Sequence, residues 1–323
     1  MNFQQEIRIL ASHLHSNAVN INSSGLYAGK AGVALALFEA AHFLRDNEME
    51  DVAFALLQEA LVSNTDDIGF ENGLSGVGFA LTYLIRHGLI DADFDEVFGN
   101  QYMDIAKGLN NIEKNPDELL RASKTIYFLS SLQGIGKNDA QASDIIAKLF
   151  KGMELYLSLQ FFDWPNIRYV NSKTQVLQIF SAYLKLMHFS GYGHFSHSLL
   201  ADYATLYRSG IVASSPAVGY YFDKAIKRHG LSQYADIAND NIVKGIRNTI
   251  CNFSALPQKI DAMCMLEACG KSRDEVARLA MPPATNGIHE VMHTLCSPQA
   301  PHTYQNGMAR CIVYLLGKGN TLT

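Results

Sequence analysis

The chain has 323 residues, 48% of them hydrophobic and 18% charged, with 26 basic against 31 acidic side chains and a net charge of −5. That supplies ample material for a large core, and the absence of a long basic block argues against nucleic acid as a partner. No apolar run approaches the roughly 20 residues that span a bilayer, and the opening MNFQQEIRIL lacks the basic-then-apolar order of a secretory leader.

The first predicted element is a helix over about Phe3 to Asn17. Next comes Gly29-Lys30-Ala31-Gly32-Val33-Ala34-Leu35, which opens a helix that is apolar nearly all round, Val33 to Leu44. Phe70-Glu71-Asn72-Gly73-Leu74-Ser75-Gly76-Val77-Gly78 opens a second such helix, Val77 to Ile85. A helix of this kind is buried on most sides. Phe94 to Leu109 is amphipathic instead, with Phe94, Val97, Phe98, Tyr102, Ile105 and Leu109 at helical spacing. Ile145, Ile146, Leu149, Phe150 and Met153 form a similar stripe, as do Ile242, Val243, Ile246 and Ile250. The turn motif returns at Tyr169-Val170-Asn171-Ser172 and at Tyr304-Gln305-Asn306-Gly307-Met308-Ala309. Fainter copies begin near Ser123, Ser215 and Leu256.

The starts Gly29, Gly73, Ser123, Ser172, Ser215, Leu256 and Gly307 lie roughly 41 to 51 residues apart, within the range of helical-repeat periods. Alternation with a period of two is scarce, so strands are not expected. A buried helix followed by a half-exposed one in each period predicts an all-α, two-layered fold. The helix over 3–17 has no inner partner in sequence. It is expected to pack as the outer partner of the last inner helix and to close a ring.

Glycine before an inner helix permits unusual backbone angles and close approach. Asn72 and Asn306 are candidate helix caps. If the inner helix ends share one mouth, their free N–H groups would favour anionic or carbonyl ligands there. Lys30, Lys124 and Lys173 recur near the repeat starts and would add positive charge. Together with Glu71, Asn72 and Asn306 they are the candidate peptide-binding residues of that mouth.

GLYAGKAGVALAL, then NGLSGVGFAL, then the closing NGMARCIVYLL resemble the repeat signature of the lanthionine synthetase C-like (LanC-like) family. The resemblance implies a single domain over 1–323, a double-layered α/α toroid (barrel) of about seven helical hairpins. It implies a role in peptide modification, with a peptide substrate or a modifying enzyme as partner. Active members hold one zinc ion that turns a peptide cysteine into its nucleophilic thiolate. Their ligands are a Cys at the fifth repeat start and a Cys-His pair at the sixth. Here those starts read Val212-Ala213-Ser214-Ser215-Pro216 and Asn252-Phe253-Ser254-Ala255-Leu256-Pro257, with neither residue type. The resemblance therefore implies the fold and a peptide partner without the zinc-dependent cyclase, and no resident cofactor is expected.

The alternative metal motif is His289-Glu290-Val291-Met292-His293. On a helix it sets two imidazoles on one face with Glu290 as general base. Cys296 and His302 are the candidate third ligands for zinc. That reading gives a metal-dependent cyclase or hydrolase, and a third reading is a non-catalytic scaffold. His188, His194 and His197 are expected to form a polar turn at the end away from the mouth. The cysteines 251, 264, 269, 296 and 311 contain no CxxC, which fits a reducing cytoplasm rather than a disulfide framework.

Overall fold

The computed structural model describes residues 3–18, 20–109, 115–137, 139–250, 263–272, 274–276, 304 and 307–317. Among them every regular element is helical. They form two compact units. The first comprises Met1–Gly108, Ser131–Asn138 and Phe253–Thr323, and the second Leu109–Ser130 and Asp139–Asn252. None of the described helices is long and apolar enough to cross a membrane.

The first unit holds α1 (Phe3–Ala18), α2 (Lys30–Leu44), α3 (Asn47–Leu61), α4 (Leu74–Arg86), α5 (Phe94–Leu109) and, near the C-terminus, the helix Met308–Leu315. The all-round apolarity of the inner helices has the expected consequence. Every residue from Ala31 to Ala41 of α2, and every residue from Leu74 to Leu84 of α4, is buried. Arg45 ends α2 in the left-handed region (φ 54°), and the side chain of Asp46 at once caps α3 by accepting from Met49 N–H at 3.2 Å. The chain thus reverses within two residues, and α3 packs back along α2.

Helix α1 packs against α2, α3 and Met308–Leu315. Its Ile7, Ala11 and Leu14, at helical spacing, are fully buried. Phe3 meets Phe43 edge-on with ring centroids 5.5 Å apart, and Arg8 pairs with Asp46 at 2.6 Å. The two ends of the described chain are therefore neighbours, as the unpaired first helix suggested. Burying Ile7 and Leu14 contributes roughly 1.5–3 kcal/mol each.

The second unit holds α6 (Pro116–Ser123), α7 (Thr125–Ser131), α8 (Ala140–Phe162), α9 (Val170–Ser190), α10 (His197–Arg208), α11 (Pro216–His229) and α12 (Ala235–Ile250); Met308–Leu315 is α13. Helix α8 packs on α6, α9 and α10, and α11 packs on α9 and α12. The α11–α12 hairpin is close because glycine lines both sides. A Cβ on Gly219 would lie 2.7 Å from the Ala238 carbonyl, and one on Gly245 would lie 2.5 Å from Pro216 N. This contact sets the rotation of α12. Ile237, Ala238, Asn241 and Gly245 face inward, and Val243, which the apolar stripe placed on the buried face, is 43% exposed.

Gly29, Gly73, Ser215 and Gly307 are the N-caps of α2, α4, α11 and α13. The other starts are shifted. With no Gly or Pro to stop it, α9 begins at Val170, so Ser172 lies in its first turn. Ser123 ends α6, and a break at Lys124 separates it from α7. Leu256 lies outside the described residues.

Candidate functional site

The turns before α2 and α4 have one construction. The first N–H groups of α2, those of Lys30 and Ala31, donate to the carbonyls of Ser23 and Ser24 at 2.9 and 3.1 Å. Those of α4, Leu74 and Ser75, donate to Asp67 and Ile68 at 2.8 and 3.4 Å. Each turn folds back over the helix it precedes, so these N–H groups are already satisfied by the chain itself. The expectation of free donors for an anionic ligand does not hold at either end. Asn72 does not cap α4 either: Gly73 occupies the N-cap position, with no side-chain hydrogen bond.

The two turns also pack on each other. Tyr27 N–H donates to the Glu71 carbonyl at 2.6 Å, and Tyr27 meets Phe70 edge-on at 6.1 Å. A Cβ on Gly25 would fall 2.3 Å from Asn72 Cα. Glycine is required at 25 because backbone lies on backbone there. Glu71 is half-buried in this contact, and Asn72 is exposed beside it.

A second pair of contacts ties successive repeats together. A Cβ on Gly76 would lie 2.2 Å from the Phe70 carbonyl of its own turn and 2.8 Å from Leu26 Cβ of the preceding turn. A Cβ on Gly32 would lie 1.9 Å from the Leu26 carbonyl of its own turn and 2.6 Å from Tyr304 Cβ. Leu26, Phe70 and Tyr304 hold the same place in the three clear motif copies. The last copy therefore abuts the first as the first abuts the second.

The third copy carries Arg310 where the others carry Gly32 and Gly76. Arg310 is buried at 1% exposure, its Nη1 donates to Tyr304 Oη at 3.0 Å, and its guanidinium lies 5.3 Å from the centre of that ring. Deeper in the same unit, the Tyr83 hydroxyl of α4 donates to Glu39 Oε1 of α2, both side chains being buried. Burial, then the hydrogen bond to Glu39, push the Tyr83 phenol far above its ordinary range, so it acts as a fixed donor and not as a base. Neither Glu39 nor Arg310 was singled out from the sequence. The available signal was a single charge inside an otherwise apolar inner helix, which demands a buried partner.

The lysines expected at the mouth fall in both units. Lys30 pairs with Glu59 at 2.5 Å. Lys173 lies 5.4 Å from the ring centre of buried Trp164, a cation–π contact. Lys124 is half-buried at the α6–α7 break. Lys30 and Lys173 are thus already engaged by their own neighbours. At the fifth repeat start, Ser214 Oγ shares a hydrogen bond of 2.9 Å with Tyr207 Oη, and Ser215 N–H donates to Asn241 Oδ1 at 3.1 Å. Serines held by neutral partners occupy this turn, and they are poor zinc ligands.

His188 lies near the end of α9 and His197 opens α10. Burial, then Arg228 and Lys224, hold the His188 imidazole below its usual pKa. His229 is held down by burial, Arg228 and His197. Among the described residues no three His, Cys, Asp or Glu side chains are grouped to hold a metal ion. His289, Glu290, His293, Cys296, His302 and Asn306 lie outside the described residues. Comparison with protein-family models, with curated proteins and with solved structures finds no match.

Proposed function

We propose that this chain is a degenerate LanC-like protein, a closed α/α toroid that binds a precursor peptide or its modifying enzyme at the glycine-turn rim without forming thioether rings itself. The observation that carries this reading is the repeated step between motif copies: Tyr304 meets Gly32 as Leu26 meets Gly76. An open helical array has no reason to join its last copy to its first in the geometry that joins the first to the second. The packing of α1 on α13 supports the same closure. Peptide modification enters by the family resemblance of these turns. The loss of catalysis enters from the serine-built fifth turn, which offers no thiolate or imidazole.

Within the first unit the rim would recognise a peptide by the exposed Asn72 amide, by the Glu71 carboxylate and by Lys30. The test uses the full chain in two assays. A fluorescent, glutamate-rich peptide should bind and should weaken as salt rises, and Lys30→Ala should weaken it further. A peptide carrying a cysteine and a dehydroalanine should cyclise at the buffer rate, with or without zinc. Salt-insensitive or absent binding overturns the peptide reading, and accelerated thioether formation overturns the non-catalytic one.

A further inference from the structure

A cleft of about 720 Å³ opens on the first unit between α3 and the start of α5. That volume is within the range of ligand-binding clefts. One wall is the stripe Asp51, Phe54, Gln58 and Leu61 of α3, and the other is the segment Leu89–Asp93 with Glu96 and Val97 of α5. Phe38 and Leu81 close the floor. The glycine turns precede α2 and α4, whereas the cleft includes the segment that follows α4. It is thus distinct from the rim and independent of the function proposed there.

Two features of this cleft go unanswered within the unit. Phe54 and Val97 are large apolar side chains left 46% and 37% exposed, although Val97 belongs to the apolar stripe of α5. Around them stand the carboxylates of Glu50, Asp51, Asp91, Asp93 and Glu96, with no lysine, arginine or histidine in the lining. Among the described residues none of the five takes part in an ion pair. Asp93 Oδ1 accepts from Glu96 N–H at 3.0 Å and so caps α5. Lys137, which reaches the first turn of α5, pairs with Asp95, outside the lining.

We propose that this cleft is a docking groove for a basic amphipathic helix of a partner protein. A groove between two helices takes the apolar face of a third, with anchors at i, i+3, i+4 and i+7. Phe54 and Val97 supply the complementary apolar surface. Lysine and arginine flanking the anchors meet the acidic rim, which speeds encounter and excludes acidic partners.

The probe is a fluorescent peptide of about 18 residues with leucine on one helical face and lysine on the other, titrated into the full chain. Its twin carries glutamate for lysine. The lysine peptide should bind, and the glutamate peptide should bind at least about tenfold more weakly. Phe54→Ser should weaken binding about tenfold or more, as loss of an apolar anchor does. Asp51→Lys with Asp91→Lys should do the same. The matched control is Asp144→Lys with Asp202→Lys, which makes the same change in net charge on exposed residues of the second unit. It should leave binding within about twofold of the parent. All altered residues are exposed, so circular dichroism and melting should match the parent. Undetectable binding of the lysine peptide, equal binding of its twin, an unchanged Phe54→Ser variant, or equal losses in the groove and control variants would each overturn the proposal.

Discussion

Gly32 lies beneath Tyr304, so close that a methyl group at position 32 would stand 2.6 Å from Tyr304 Cβ and 1.9 Å from the Leu26 carbonyl. Neither neighbour is the far end of a flexible side chain. Alanine is ordinarily better than glycine inside a helix by about 0.8–1 kcal/mol, so intrinsic propensity and packing make opposite demands here. Packing should win: Gly32→Ala and Gly76→Ala should each destabilise the protein by about 1–3 kcal/mol. Gly99 of α5 is the contrast, because a Cβ there finds nothing nearer than Asp95 at 4.0 Å. Gly99→Ala should stabilise by about 0.5–1 kcal/mol. Chemical denaturation of the three variants decides, and stabilisation by alanine at 32 would show that the two turns are not closely packed.

Helix α1 should be integral to the first unit and not an appendage. Ile7, Ala11 and Leu14 are fully buried, and the helix touches both α2 and α13. Removing residues 1–17 would uncover apolar surface on both. Ile7→Ala is the gentler version and should cost about 2–5 kcal/mol. Calorimetry of the truncated chain should show a large fall in melting temperature, and an unchanged transition would detach α1 from the fold.

The elements were far more legible than their rotations. α5 begins and ends where its apolar spacing placed it, because Phe98, Tyr102 and Ile105 repeat on one helical face and are all buried. Val97 and Val243 belong to the same kind of stripe yet face outward. Spacing sets which side of a helix is apolar, but the neighbour's shape sets how much of that side is covered. For α12 the contact is with Gly219 and Pro216 of α11; Gly245 marks a close approach in the sequence of α12 but does not name the partner. The rim was legible as glycine turns. That those turns cap α2 and α4 with their own carbonyls was not, because backbone acceptors carry no side-chain signature.

Stability should fall as the medium is acidified through the mid-range. His188 and His229 both sit near Arg228, and Arg228 Nη1 also donates to the His188 carbonyl at 3.3 Å. Burial and this cation lower both pKa values beneath the ordinary 6.5. The unfolded chain then takes up protons on these imidazoles before the folded one does. The fold keeps its full stability above pH 6.5 and loses it as pH drops through and below that value. Denaturation midpoints across this window should show a slope that His188→Gln and His229→Gln reduce. An unchanged slope in the double variant would assign the acid sensitivity to other groups.

The Tyr83–Glu39 contact makes the opposite pH prediction and a stronger one about substitution. Both groups are buried, and the phenol donates to that carboxylate. Tyr83→Phe keeps the ring, including its contact with His87 at 4.0 Å, and leaves the Glu39 acceptor without this donor. The expected loss is about 1–3 kcal/mol. Glu39→Gln retains an acceptor and should cost less, and the double variant should lose less than the two single losses combined. Because the folded-state pKa of Tyr83 is raised, its contribution is complete below the unfolded value near 10 and declines as pH rises beyond it. Tyr183, buried against Glu154 at 2.8 Å, and Tyr203 are raised as well, so a single variant should remove only part of the alkaline slope. A Tyr83→Phe protein with parental stability at neutral pH and a parental alkaline slope would mean that the buried carboxylate finds another donor when this one is taken away.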